Sequence, residues 1–387
     1  MNWQLMKDTI TFADRFKMAK FALTAKRFTN SEQVVKFEKH WSEWLGCKHS
    51  LFVSSGSTAN FLLVAAIKEK YKLSEGDKVL VPACTWMTNV APIIQLGLQP
   101  IFCDINIQNF SFDIEEVKYI SKIHPDIKLI FVSHLLGFAG ENEKLKEIFP
   151  NAIIIDDVCE SHGVRFPDGS RVGSNSLGAT FSFYFGHHMS TIEGGMVCTN
   201  DLELYDLMKM KRSHGLARES NFFEQYAKEN PTIEKSFLFI TDGYNFRNHE
   251  ICAVLGQSQL KRLDDMIEIR RKNYNGYVDL LDYHHNLFHP HSYDEGNSSF
   301  CFPFICKTIK IKENLRCLFI ENNIEFRPIV SGNLLKHPFL KNYRITSSKE
   351  VLNVDLIHEN GIYIGNNHFV KAKDVEYLRS LIEEIGE

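Results

Sequence analysis

Five short apolar runs, HSLFV, VLVP, PIFCDI, KLIFVS and AIIIDD, lie within residues 49–157 with helix-like stretches between them, and they limit the fold of this chain more than any other feature. Runs of Val, Ile, Leu and Phe without polar interruption suit strands buried on both faces. Strand and helix units in alternation predict an α/β protein with an open, mostly parallel sheet that binds ligands beyond the carboxyl ends of its strands. After a long helical pattern, MIEIRRKNYNGYVDLL, the chain changes to shorter strand runs such as SFCFPFICK. We therefore expect a large α/β domain over residues 1–274 and a smaller C-terminal α+β domain over 275–387.

The chemistry-bearing residues sit where these runs end. HSLFV is followed by a small-residue turn, Ser54 to Ser57, and then by a helix expected to open at Thr58 or Ala59. Backbone N–H groups at such a positive helix end suit a phosphate, although a Ser/Gly loop that merely caps the helix fits equally well. Trp86 lies just past VLVP, where its indole can stack on a flat ligand or simply pack. AIIIDD delivers Asp156 and Asp157 to the end of a buried strand, and an ionised carboxylate there needs a cationic or hydrogen-bonding partner. Capping the next helix is the other account of Asp156.

Further on, Phe181, Phe183 and Phe185 alternate with Ser182, Tyr184 and Gly186, which predicts a strand buried on one face that leaves at Gly186. His187 and His188 open the polar turn beyond it. The first lysine after Asp157 is Lys209, which shares the helical pattern LYDLMKMKR with Lys211 and is well removed from that turn. Near the amino terminus, Val34, Phe37, Trp41 and Trp44 recur at helical spacing and predict a core-facing helix. The polar stretch from about residue 212 to 240 reads as a long insertion that covers a site or forms an interface.

Composition removes several classes of function. A formal charge of -4 with scattered Lys and Arg leaves no basic stripe for nucleic acid. Nine cysteines, an odd number without a CxxC pair, read as free thiols of a reducing compartment. The charged start MNWQLMKDTITFADRFKMAKF lacks the apolar centre of a signal peptide, and no apolar run approaches the ~20 residues of a membrane helix. A cytoplasmic protein without membrane partners is the expectation.

Ser182, Phe183, Glu193, Gly194 and Gly195 together fit the spacing S-F-x-x-x-[K]-x5-E-G-G, which resembles the signature of the sugar-nucleotide aminotransferases, fold-type I enzymes that use pyridoxal 5'-phosphate. His187 occupies the lysine slot. In that family the lysine tethers the coenzyme and moves protons; an imidazole can do only the second. The replacement resembles a branch of 3-dehydratases that remove the C3 hydroxyl of 4-keto-6-deoxy sugar nucleotides, and NNIEFRPIVSGNLLKHP and GIYIGNNH resemble that branch too.

The resemblance implies pyridoxal or pyridoxamine 5'-phosphate held without a covalent bond. Gly56, Ser57 and Ser182 are assigned to the cofactor, Trp86 to its ring face, Asp157 to the pyridine nitrogen and Glu160 to the same ring. It also implies that Asn245, in the segment GYNFR, reaches the neighbouring subunit's cofactor phosphate, hence a homodimer with shared active sites. Arg218, Glu325 and Arg327 are assigned to the sugar nucleotide; solvated surface for Arg218 and a packed edge strand for the other two are the competing accounts. His187 is the expected base, with a neutral imidazole available near pH 7 from its ordinary value of about 6.5, and His188 replaces it if the turn is shifted by one position. The implied substrates are a nucleotide-linked 4-keto sugar, GDP-4-keto-6-deoxymannose or a close analogue, and L-glutamate, which restores the amine form while ammonia is released. Two alternatives stand beside this reading: an iron-sulfur 3-dehydratase of CDP sugars using Cys252, Cys301, Cys306 and Cys317, and a cofactor-binding scaffold without activity.

Overall fold

The computed structural model describes residues 2–293, 295–343, 346–347 and 350–385. The chain forms two compact units, one made of Met1–Asp8, Glu75–Val172 and Arg262–Glu387, the other of Thr9–Ser74 and Gly173–Lys261.

In the first unit, strands β2 (Lys78–Pro82), β3 (Gln99–Cys103), β4 (Leu129–Ser133), β5 (Ile153–Asp157) and β10 (Thr346–Ser347) lie in the order β5-β4-β2-β3-β10. All the pairs are parallel, with Ser133 opposite Asp157 and Leu80 opposite Ile101. Parallel strands need crossovers, and α4 (Ala91–Gln95), α5 (Ile114–Ile123) and α6 (Asn142–Ile148) supply them. The Asp113 carboxylate starts α5 by accepting from the N–H groups of Glu115 and Glu116. Leu80, Ile101, Val117, Ile120, Ile130 and Phe149 pack into one buried cluster. The same unit continues through the long helix α10 (Leu263–Tyr283) into a three-stranded antiparallel sheet, β8 (Cys301–Ile305), β11 (Gly361–Gly365) and β9 (Phe326–Arg327), with α11 (Ile309–Glu321), α12 (Leu352–Asn360) and α13 (Ala372–Glu383). Residue 274 falls inside α10.

The second unit begins with α1 (Phe12–Thr24) and α2 (Glu32–Leu45), and it holds β1 (His49–Val53), β7 (Gly195–Thr199) and β6 (Ala179–Ser182) as an antiparallel set with β7 in the middle. Val34, Phe37 and Trp41 are fully buried on α2, as their spacing predicts, while Trp44 is only half-buried; the Phe37 and Trp41 rings meet Phe52, Phe181 and Phe183 at centroid distances of 4.8–5.6 Å, mostly edge to face. Arg212 of α7 (Leu202–Arg212) donates to Glu38 at 2.6 Å and to the Phe52 carbonyl at 3.0 Å, and Glu38 in turn accepts from the Phe52 N–H at 2.9 Å. This buried pair ties α2, β1 and α7 together.

Several boundaries differ from the sequence expectation. Helix α3 (Gly56–Lys70) opens at Gly56, two or three residues early, because Ser55 and Thr58 form a reciprocal capping box around the turn. Strand β6 stops at Ser182, since the next residue, Phe183, donates to Gly194 O and accepts from Thr191 N across a tight loop. Phe185 is consequently 38% exposed rather than buried. The stretch after residue 212 contains α8 (Phe223–Glu229) and two short 3-10 helices as well as irregular chain. The remaining helix of this unit is α9 (Glu250–Leu260).

Candidate active site

In the first unit, the carboxyl ends of β2, β4 and β5 gather polar side chains. Asp157, the last residue of β5, is buried, and two donors fix its carboxylate: Asn89 Nδ2 gives to Oδ2 at 2.8 Å and the Cys159 N–H to Oδ1 at 2.9 Å. Asn89 is oriented by the Thr85 hydroxyl, which donates to its Oδ1 at 2.8 Å and lies 2.7 Å from Ser133 Oγ. Pleating turns Asp156 the opposite way, where it meets His134 Nε2 at 3.1 Å and Asn142 Nδ2 at 2.8 Å. Since His134 Nδ1 accepts from the Gly140 N–H, Nε2 carries the proton, and Asp156 serves the packing of this loop rather than capping a helix.

Glu160 is half-buried and accepts from the Leu136 N–H at 3.2 Å. Loss of water pushes its carboxyl up to about 7, with the Asp157 charge adding to the rise. Trp86 stands at the start of the 3-10 turn Met87–Asn89 with 55% of its surface exposed. On the small sheet, Glu325 accepts from the Leu5 N–H at 3.0 Å and so holds the amino-terminal segment. Arg327 is exposed in the two-residue edge strand β9, opposite Tyr363. Within this unit the assigned residues thus separate into the Trp86–Asp157–Glu160 region and the β9 edge.

The second unit carries the turn at the start of α3. Ser55 Oγ accepts from the Thr58 N–H, leaving the N–H groups of buried Gly56 and exposed Ser57 at the helix end. Gly195, at the head of β7, packs directly against this turn: a Cβ there would come within 2.3 Å of Ser55 O and 2.8 Å of Gly56 N. Only glycine permits that approach, which accounts for the second Gly of the E-G-G spacing. Asn248 fastens the same corner, donating to Val53 O at 2.9 Å and Glu193 O at 3.2 Å.

Ser182 ends β6 and is buried, whereas His187 in the following loop is half-buried and His188 is sealed completely. Lys209 reaches Asn221 at 3.3 Å, and buried Lys211 pairs with Glu69 at 2.6 Å and with Asp242, so both belong to α7 and its neighbours. Arg218 and Asn245 share a cavity of about 1020 Å³ with Arg27, Arg247 and His249. Asn245 is exposed and accepts from Arg247 Nε at 3.0 Å; Arg218 donates to Ser236 O at 3.4 Å.

Sequence reasoning missed Asn89, Thr85, Ser133 and Asn248. Each is a lone polar residue whose role depends on a partner 48 to 195 positions away, and only T-x-x-x-N after an apolar run hinted at the first pair. All nine cysteines are free, and among the described residues no three His, Cys, Asp or Glu side chains are grouped to hold a metal. Cys301 and Cys306 are buried at the two ends of the β8 segment, while Cys317 is exposed on α11.

The sequence profile of the DegT/DnrJ/EryC1/StrS aminotransferase family matches residues 11–383. The chain belongs to that family. Among curated relatives, the GDP-4-keto-6-deoxy-D-mannose 3-dehydratases of Yersinia pseudotuberculosis and Escherichia coli O55:H7 are 36% and 34% identical over 372 and 380 residues, covering 94% and 95% of this chain and 93% and 96% of theirs. A crystal structure of GDP-4-keto-6-deoxymannose-3-dehydratase with a trapped PLP-glutamate geminal diamine superposes with a TM-score of 0.89 at 32% identity, covering 98% of this chain and 100% of the other. The fold is therefore the α/β fold of the pyridoxal-phosphate aminotransferases, as the strand–helix alternation and the E-G-G spacing led us to expect.

The residues present fit that cofactor. A buried carboxylate steered by Asn89 and Cys159 N suits a protonated ring nitrogen, and a helix end that a Cβ at residue 195 would block suits a phosphate.

Proposed function

We propose that this protein is a pyridoxamine-phosphate-dependent 3-dehydratase of a 4-keto-6-deoxy sugar nucleotide, GDP-4-keto-6-deoxymannose or a close analogue, with L-glutamate as the amine donor. The observation that carries the reading is His187 in the lysine slot of a chain without any lysine between Asp157 and Lys209, together with 34–36% identity to enzymes of that name.

When bound, the cofactor supplies an amine that joins the C4 carbonyl and a ring that draws off electrons as the C3–O bond breaks. The N–H groups of Gly56 and Ser57 and the Ser182 hydroxyl hold its phosphate. Asp157, aligned by Asn89 and Cys159 N, accepts the ring N–H and so preserves the electron sink. Trp86 covers a ring face, and Glu160 lies beside the same ring. His187 moves the proton: a ring nitrogen takes it from the carbon bearing the amine and passes it to the departing C3 hydroxyl. Such proton transfers contribute about 10²–10⁴-fold in rate. Arg218, Glu325 and Arg327 contact the sugar nucleotide, with the Glu325 carboxylate shared with the Leu5 N–H.

Asn245 completes the partner subunit's phosphate site, so the active form is a homodimer, and the protein works in the cytoplasm. Among the described residues no helix is long and apolar enough to cross a membrane. The test is to supply GDP-4-keto-6-deoxymannose and glutamate and to weigh the product. A 3-deoxy-4-keto sugar nucleotide with ammonia and 2-oxoglutarate is expected; an amine at C4 with the C3 oxygen retained would show a transaminase instead.

A further inference from the structure

Away from the cofactor-binding residues, the second unit brings two cysteines onto one hydroxyl. Ser50 and Cys198 face each other across the antiparallel pair of β1 and β7, and their Oγ and Sγ atoms are 3.3 Å apart. On its other side, Ser50 Oγ lies 3.5 Å from Cys47 Sγ and 2.7 Å from Ser42 Oγ. Cys47 sits in the turn between α2 and β1, partly open to solvent, whereas Cys198 is fully buried. In its neutral form the Cys47 thiol donates to the His49 carbonyl at 3.6 Å.

We propose that Cys47 and Cys198 form a modification site, a thiol pair that hydrogen peroxide oxidises to a disulfide and a dithiol reductant reopens. In the first step the Cys47 thiolate attacks one peroxide oxygen. The O–O bond breaks, hydroxide leaves and the sulfur becomes a sulfenic acid, two electrons more oxidised. In the second step the Cys198 sulfur attacks that sulfur, the S–S bond forms, and the S–O bond breaks with release of water that carries the Cys198 proton. The sum is two thiols and one peroxide giving one disulfide and two waters.

The surroundings assign the two roles. A hydrogen bond from the Cys198 thiol holds Cys47 below the ordinary thiol range against the effect of its burial, and the Ser50 and Ser42 hydroxyls lower it further. Burial and the bond to Cys47 push Cys198 well above that range, so it is the slower, resolving partner. The bridge would pin the α2–β1 turn to β7, the strand whose first residue packs on Ser55.

The experiment exposes the full-length protein to hydrogen peroxide with and without dimedone and maps all nine cysteines by mass spectrometry. Without dimedone, a Cys47–Cys198 peptide pair lighter by two hydrogens should appear and should vanish with dithiothreitol. In Cys198→Ser, which keeps a hydrogen-bond donor beside Cys47 but cannot form the disulfide, dimedone should mark Cys47 about tenfold or more faster than the exposed Cys317. Because replacing a buried residue can disturb packing, wild-type protein trapped with dimedone at the earliest times provides the same comparison. Marking of Cys317 ahead of Cys47, or a Cys198 thiol that remains alkylatable after unfolding once Cys47 is oxidised, would overturn the assignment.

Discussion

His187 and His188 are neighbours in sequence, yet the first is half-buried in its loop and the second is sealed from solvent. A proton carrier has to reach its substrate, and the greater exposure of His187 supports its proposed role over that of His188. Steady-state rates of His187→Asn should fall by about 10²–10⁴-fold with an unchanged unfolding midpoint, whereas His188→Asn should shift the midpoint. Loss of dehydration confined to His188→Asn would contradict the assignment. Glu160 allows a pH experiment. Its folded-state carboxyl binds a proton more tightly than the unfolded chain does, so its stabilising contribution is complete below 4.5 and is lost as pH rises through about 7. Urea unfolding of the cofactor-free protein across that window should show a weaker decline for Glu160→Gln than for the wild type. The place of Asp157 at the end of a strand was legible in sequence because it closes an all-apolar run. Asn89, which aligns it, was not, since nothing local distinguishes one asparagine near a turn from another.

At the scale of elements, the turn proposed to bind phosphate depends on two pieces from distant parts of the sequence: the capped start of α3 and the head of β7. A methyl group at residue 195 would press on Ser55 O and Gly56 N and displace the donors proposed to hold a phosphate. Gly195→Ala should therefore weaken binding of pyridoxamine phosphate by about tenfold or more, a loss of about 1.4 kcal/mol, as read by absorbance titration. Unchanged affinity would show that the approach is incidental. The strands of the first unit were legible because continuous burial leaves an unmixed apolar record, as in Leu129–Val132. The end of β6 was not, because Phe183 and Phe185 look alike in sequence while only Phe183 is held by Gly194 and Thr191. Likewise, the capping box of Ser55 and Thr58 draws Gly56 and Ser57 into a helix that apolar periodicity alone starts later.

For the whole molecule, a shared active site makes a prediction by subunit mixing. If Asn245 serves the partner's cofactor, a His187→Asn chain paired with an Asn245→Ala chain has one intact site and one doubly defective one. Random re-pairing of equal amounts should then restore about a quarter of wild-type activity from two nearly inactive parents; no recovery would place Asn245 in its own subunit's site. Family, fold and cofactor were legible because the motifs follow one another over almost the entire chain. The Leu5–Glu325 contact was not, because it joins residues 320 positions apart. The account as a whole rests on an imidazole standing where a tethering amine is expected. The most direct measurement is borohydride reduction of the resting protein loaded with one equivalent of pyridoxal phosphate, followed by intact mass. The account predicts the mass of the unmodified chain; a stoichiometric pyridoxyl adduct on one side chain would contradict it.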